Sequence, residues 1–137
     1  MLCSAHKTKL IRVFSLIRDK DIKGNHLEYL NSPLIEQYQD VLGPEVFNET
    51  VELYKEQAQK YIQQLKQSLQ QEDRKEWQEG CHILKSASGN IGLQAVFTVV
   101  GELEYSGESF AELGSKLQSL IELNESSLEF LTKKLTQ

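Results

Sequence analysis

Apolar positions along the 137-residue chain recur every three or four residues, and this spacing predicts helices. The longest stripe follows Pro44, where Phe47, Val51, Tyr54, Ala58, Tyr61, Leu65 and Leu69 share one face of a helix reaching about residue 71. A shorter helix precedes it, with Ser32 as N-cap, Pro33 at its first position and Gly43 as its stop. A third helix starts at Asp73, whose spacing to Glu76 matches a capping box, and carries Trp77, Cys81, Leu84, Ser88 and Ile91 inward before ending near residues 88–89. The fourth runs over about residues 92–105, with Val96, Val100 and Leu103 inward and Ser106-Gly107 closing it. The last opens with a second capping box, Ser109 and Glu112, and continues through Phe110, Leu113, Leu117, Leu120, Leu128, Leu131 and Leu135. Asn124 falls on that apolar stripe without a local reason.

No alternating run reads as a strand. The long helices are joined by short connections, so sequential neighbours pack antiparallel. The expected fold is all-α: an up-down-up-down four-helix bundle with additional helix at its N-terminal end. Residues 1–30 form a partly helical leader or linker, in which residues 5–20 place Leu10, Val13, Phe14 and Ile17 on one stripe before Gly24 and Asn25 break it. Residues 31–137 form the bundle domain.

Composition then narrows the function. The net charge is -5, yet residues 1–23 hold six Lys and Arg against two Asp, so the remaining body is strongly acidic. An acidic body argues against nucleic acid as a partner. The basic leader is a solvated face or linker, or a segment that touches an anionic surface. No apolar run approaches the ~20 residues that cross a bilayer. Two cysteines without a CxxC pair suit a reducing, cytoplasmic setting. Cys81 reads as a small buried residue, and Trp77, Tyr54 and Tyr61 as core, with both tyrosine hydroxyls toward the bundle edge. His6 and His26 have no partner at metal-ligand spacing, and no metal site is expected.

The third helix carries the candidate chemistry. With Trp77 at zero on a wheel of 100° per residue, Cys81, Leu84 and Ser88 stay within about 40° of it. His82 falls about 140° away, on the outer face, with Gln78 one turn before and Ser86 and Gly89 one and two turns after. Small residues leave room for a second protein to reach the ring, and Lys85 lies within reach of the same patch. A neutral imidazole offers a nitrogen lone pair that attacks phosphorus, and an ammonium offsets phosphoryl charge.

The run His82-Ile83-Leu84-Lys85-Ser86-Ala87-Ser88-Gly89-Asn90-Ile91-Gly92-Leu93 resembles the signature of histidine-containing phosphotransfer (HPt) domains, roughly H-x-L-K-G-S-S followed by I/L-G-A. Leu103-Glu104 and the lead-in Leu42-Gly43-Pro44-Glu45 are similar to further family positions, so the resemblance spans about residues 30–134. It implies that His82 accepts a phosphoryl group from a receiver-domain aspartyl phosphate and passes it to a second receiver. Lys85 is implied to stabilise the phosphoryl group, Gly92 to shape a turn, and Glu104 to hydrogen-bond the imidazole. Gln78, Ser86 and Gly89 are expected at the docking surface. The partners implied are response-regulator receiver domains, with no small-molecule substrate. No cofactor belongs to the domain itself, since Mg²⁺ is carried by the receiver. The chain departs from the pattern at Ser86, where the family has Gly, and at Cys81, where it has Ala. The resemblance fits the cytoplasmic C-terminal domain of a membrane-bound hybrid sensor kinase or a free-standing shuttle. Two other classes compete: a helical adaptor that binds a receiver without carrying phosphate, and a metal-binding bundle enzyme. The latter needs paired Glu-x-x-His motifs on facing helices. Only Glu79-Gly80-Cys81-His82 fits one, and it lies on the outer face.

Overall fold

A computed structural model describes residues 29–135. The leader stripe, Cys3, His6 and His26 lie outside the described residues. Five helices follow one another: α1 (Ser32–Leu42), α2 (Pro44–Gln70), α3 (Arg74–Asn90), α4 (Gln94–Glu104) and α5 (Phe110–Leu135). No strand occurs among the described residues. The four helices α2 to α5 form the bundle, each packed on its neighbours in sequence, and α5 closes the ring against α2. Among the described helices, none is long and apolar enough to cross a membrane.

Local chemistry sets the helix ends. Asp73 caps α3 by accepting from the Glu76 amide at 3.0 Å, but Glu76 does not reach back; its carboxylate takes the Gln64 side chain of α2 at 2.7 Å. Ser109 and Glu112 form the full reciprocal box, with the Glu112 amide donating to Ser109 Oγ and the Ser109 amide donating to Glu112 Oε1. The N-cap of α1 is Asn31, not Ser32. Its side chain accepts from the Leu34 amide at 3.3 Å, which moves Pro33 to the second helical position. Ser and Asn cap equally well, so local sequence does not decide between them.

Two turns close on a left-handed residue. After α3, Gly92 adopts φ +84 while its amide bonds Gly89 O and the Leu93 amide bonds Ser88 O. The same pair of bonds ends α2, with Glu72 at φ +52. A Cβ on Gly92 would lie 2.8 Å from Ile35 Cγ1, so this turn is also where α1 seats on the bundle. The Asn31 amide donates to Gly92 O at 2.8 Å and fixes that contact.

The core stripe follows the pattern of the sequence on α3, where Trp77, Cys81, Leu84 and Ser88 are buried, and Ile91, its C-cap, is buried too. On α2 two positions differ from the expected stripe: Ile62 is buried in place of Tyr61 and Ser68 in place of Leu69, and Tyr61 and Leu69 are half-buried beside them. Trp77 ties α3 to α4 by donating from Nε1 to Leu103 O at 2.9 Å. The Tyr54 hydroxyl, expected at the bundle edge, is inside and donates to Asn124 Oδ1 at 2.6 Å. That bond accounts for Asn124 on an otherwise apolar stripe, because each buried polar group satisfies the other.

Candidate functional site

His82 stands mid-way along α3 with its side chain 64% exposed. The buried stripe on the opposite side of the helix fixes that direction, since Trp77, Cys81 and Leu84 are fully enclosed. The ring is held from below by α4. Glu104, the last residue of that helix and only 2% exposed, places Oε2 3.2 Å from His82 Nδ1 and Oε1 2.8 Å from Lys85 Nζ. One buried carboxylate therefore joins the imidazole to the ammonium one turn along.

The electrostatics fix the proton. Burial works to raise the Glu104 carboxyl, but the hydrogen bond and charge of Lys85 outweigh it, helped by hydrogen bonds from His82 and Tyr105, and the group is held below the ordinary carboxylate range. Lys85 is raised, first by its hydrogen bond to Glu104, against a desolvation that works the other way. Glu104 is thus ionised at neutral pH and only accepts, so His82 Nδ1 carries the hydrogen. In the neutral ring this tautomer leaves the lone pair on Nε2. Cys81, directly beneath, is inert: burial and the nearby Glu104 charge, only partly offset by Lys85, push its thiol up to about 12.

An open groove of about 520 Å³ runs beside the ring, lined by Lys75, Gln78, Glu79, His82, Ile83, Glu104 and Tyr105. Gln78 stands where the helical wheel placed it. Ser86 is exposed one turn beyond His82, outside this groove. Gly89 corrects the reading that it leaves open space: a Cβ there would meet Phe97 Cδ1 at 2.8 Å, so Phe97 of α4 already occupies the space. The Lys85 ammonium is engaged by Glu104. Sequence reasoning missed Lys75, Ile83 and Tyr105. Ile83 and Tyr105 are large apolar side chains exposed beside the histidine. Ile83 gave a signal, since an aliphatic residue next to His82 and off the core stripe has no packing role.

Among the described residues no group of three His, Cys, Asp or Glu side chains could hold a metal ion. Glu79 and His82 share the surface groove and have no second pair facing them.

Among the described residues, one exposed imidazole is held through Nδ1 by a buried carboxylate of the neighbouring helix. The sequence profile of the Hpt domain matches residues 49–133, and the chain belongs to the Hpt domain family of phosphorelay, two-component signalling proteins. The fold agrees. The histidine-containing phosphotransfer domain of ArcB from Escherichia coli superposes with a TM-score of 0.71 at 21% identity, over 79% of this chain and 93% of that one. No curated protein sequence matches this chain.

Proposed function

We propose that His82 is the phosphoryl-accepting residue, taking the group from an aspartyl phosphate of a response-regulator receiver domain and giving it to the aspartate of another. The observation that carries this reading is the exposed ring with Nδ1 on the Glu104 carboxylate.

The bond changes balance without a proton leaving the site. The Nε2 lone pair attacks phosphorus as the bond to the aspartyl oxygen breaks, and that electron pair stays on the receiver's carboxylate. Nδ1 keeps its hydrogen, so the phosphorylated ring is cationic, and Glu104 faces that charge at 3.2 Å. In the return step a second aspartate attacks phosphorus and Nε2 leaves as a neutral ring nitrogen. Lys85 gives one of its three donors to Glu104 and has the others for phosphoryl oxygens. The domain needs no cofactor of its own in this scheme, because Mg²⁺ is held by the receiver. Lys75, Gln78, Ile83 and Tyr105 line the approach and meet the receiver, with the exposed Ile83 and Tyr105 supplying apolar contact.

The test mixes the chain with phosphorylated receiver domains and follows acid-labile, alkali-stable phosphate. Label on the wild type and none on His82→Gln is expected. Undiminished label on His82→Gln would move the site elsewhere, and no label on the wild type from any receiver would remove the proposal.

A further inference from the structure

Glu104 sits where a helix is weakest. It is the last residue of α4, and the final turn of a helix has carbonyls with no partner inside the helix and tends to fray. The left-handed closure that ends α2 and α3 is not used here, since the C-cap Tyr105 has φ -114. Nor does the last turn carry a basic residue to oppose the negative end of the helix dipole. Yet Glu104 keeps one oxygen 3.2 Å from His82 Nδ1 and the other 2.8 Å from Lys85 Nζ. Groups outside α4 must hold its end.

Those groups come from the start of α3, the helix that carries His82. Trp77 donates from Nε1 to Leu103 O at 2.9 Å, one residue before Glu104. Arg74, the first residue of α3, reaches the connection just after it: Nη1 donates to Ser106 O at 3.0 Å and Nη2 to Glu108 O at 2.9 Å. The guanidinium also lies over the ring of Phe110, the first residue of α5, 4.6 Å from its centroid. The connection is tied into one piece. Ser106 Oγ accepts from the Glu108 amide and donates to the Glu108 carboxylate, which pairs with Lys116 of α5 at 2.6 Å. Arg74 lies two turns, about 12 Å, before His82 along the axis, so it acts through the backbone and not on the ring.

We propose that Arg74 is a positioning residue for phosphoryl transfer, holding the α4–α5 connection against the start of α3 so that Glu104 stays on His82 Nδ1. The inference rests on the reading of His82 as the phosphoryl acceptor. The side chain suits the task. A planar fork of donors meets two separate carbonyls and stacks on an aromatic face at once, whereas an ammonium offers a point charge without the fork. Ring and clamp also ride on one helix, so a shift of α3 carries the end of α4 with it.

The test compares Arg74→Met and Arg74→Lys in the full chain with Tyr54→Phe, a control that loses stability at the contact of α2 with α5. Nitrogen NMR of the neutral, unphosphorylated ring should place the hydrogen on Nδ1 in the wild type and in Tyr54→Phe, and show a mixture of Nδ1–H and Nε2–H forms in Arg74→Met. Phosphoryl uptake from a phosphorylated receiver should slow at least about threefold in Arg74→Met and less in Arg74→Lys. On a Glu104→Ala background, Arg74→Met should change neither reading further, since no carboxylate is left to position. A wild-type tautomer and rate in Arg74→Met, whatever its thermal midpoint, would overturn the inference. So would a mixed tautomer in Tyr54→Phe, because general loosening would then suffice. No label on the wild type from any receiver would remove the acceptor reading, while an unchanged tautomer in Arg74→Met removes the clamp alone.

Discussion

Glu104 does at the residue level what the signature around His82 leaves open. The histidine and lysine are visible in the local sequence, but the group that joins them comes from the end of another helix, 22 residues on. Its place was readable only through the family resemblance, because helical periodicity says nothing about which residue of α4 meets which residue of α3. Replacing it with Gln keeps a hydrogen-bond acceptor near Nδ1 and removes the charge that opposes a cationic ring. Glu104→Gln is expected to slow phosphoryl uptake by about tenfold or more, a change in barrier of ~1.4 kcal/mol, with far-UV circular dichroism unchanged. A rate equal to wild type would show that the carboxylate charge does not matter. Ser86 bears on access from the partner side. It is exposed and lies one turn from His82, so Ser86→Trp should slow transfer from a receiver while leaving the unfolding midpoint within error. An unchanged transfer rate would show that space on that flank is not limiting.

Elements were legible where their signals are local. Asp73 and Ser109 cap through side-chain bonds three residues away, so the residue types and spacing suffice. Glu72 was not legible: it closes α2 in a left-handed conformation that usually calls for Gly or Asn, and only the hydrogen-bond pattern reveals it. Asn124 was visible as an anomaly and not explicable, since its partner Tyr54 is 70 residues away. That pair has a measurable consequence for how α2 meets α5. Tyr54→Phe leaves a buried amide oxygen without a donor and is expected to cost about 1–3 kcal/mol in denaturant unfolding. Tyr54→Phe with Asn124→Leu removes both polar partners and should recover part of that loss. If the double variant is no more stable than Tyr54→Phe alone, the bond is not what that variant loses.

For the molecule as a whole, four helices build a core closed enough that the site can sit on its surface without weakening it. Trp77, Leu84 and Leu103 hold α3 and α4 together underneath, and Glu104 crosses from α4 to hold the His82 ring. The link between stability and site gives a pH dependence. The Glu104 carboxyl is held lower in the folded chain than in the unfolded one, so its contribution is complete above its unfolded value and is lost as pH falls through the folded one. Lys85 is raised on folding, so its contribution is complete below its unfolded value and lost at high pH. Both are intact at neutral pH. Wild type should therefore lose more stability than Glu104→Gln between neutral and strongly acidic pH, measured by urea unfolding. Parallel curves would contradict the assignment of that carboxylate.

The most direct measurement is of the bond itself. Nitrogen NMR of the ¹⁵N-labelled, phosphorylated chain should place the phosphoryl group on Nε2 of His82, with Nδ1 still protonated toward Glu104. A phosphoryl group on Nδ1, or on any other residue, would contradict the account.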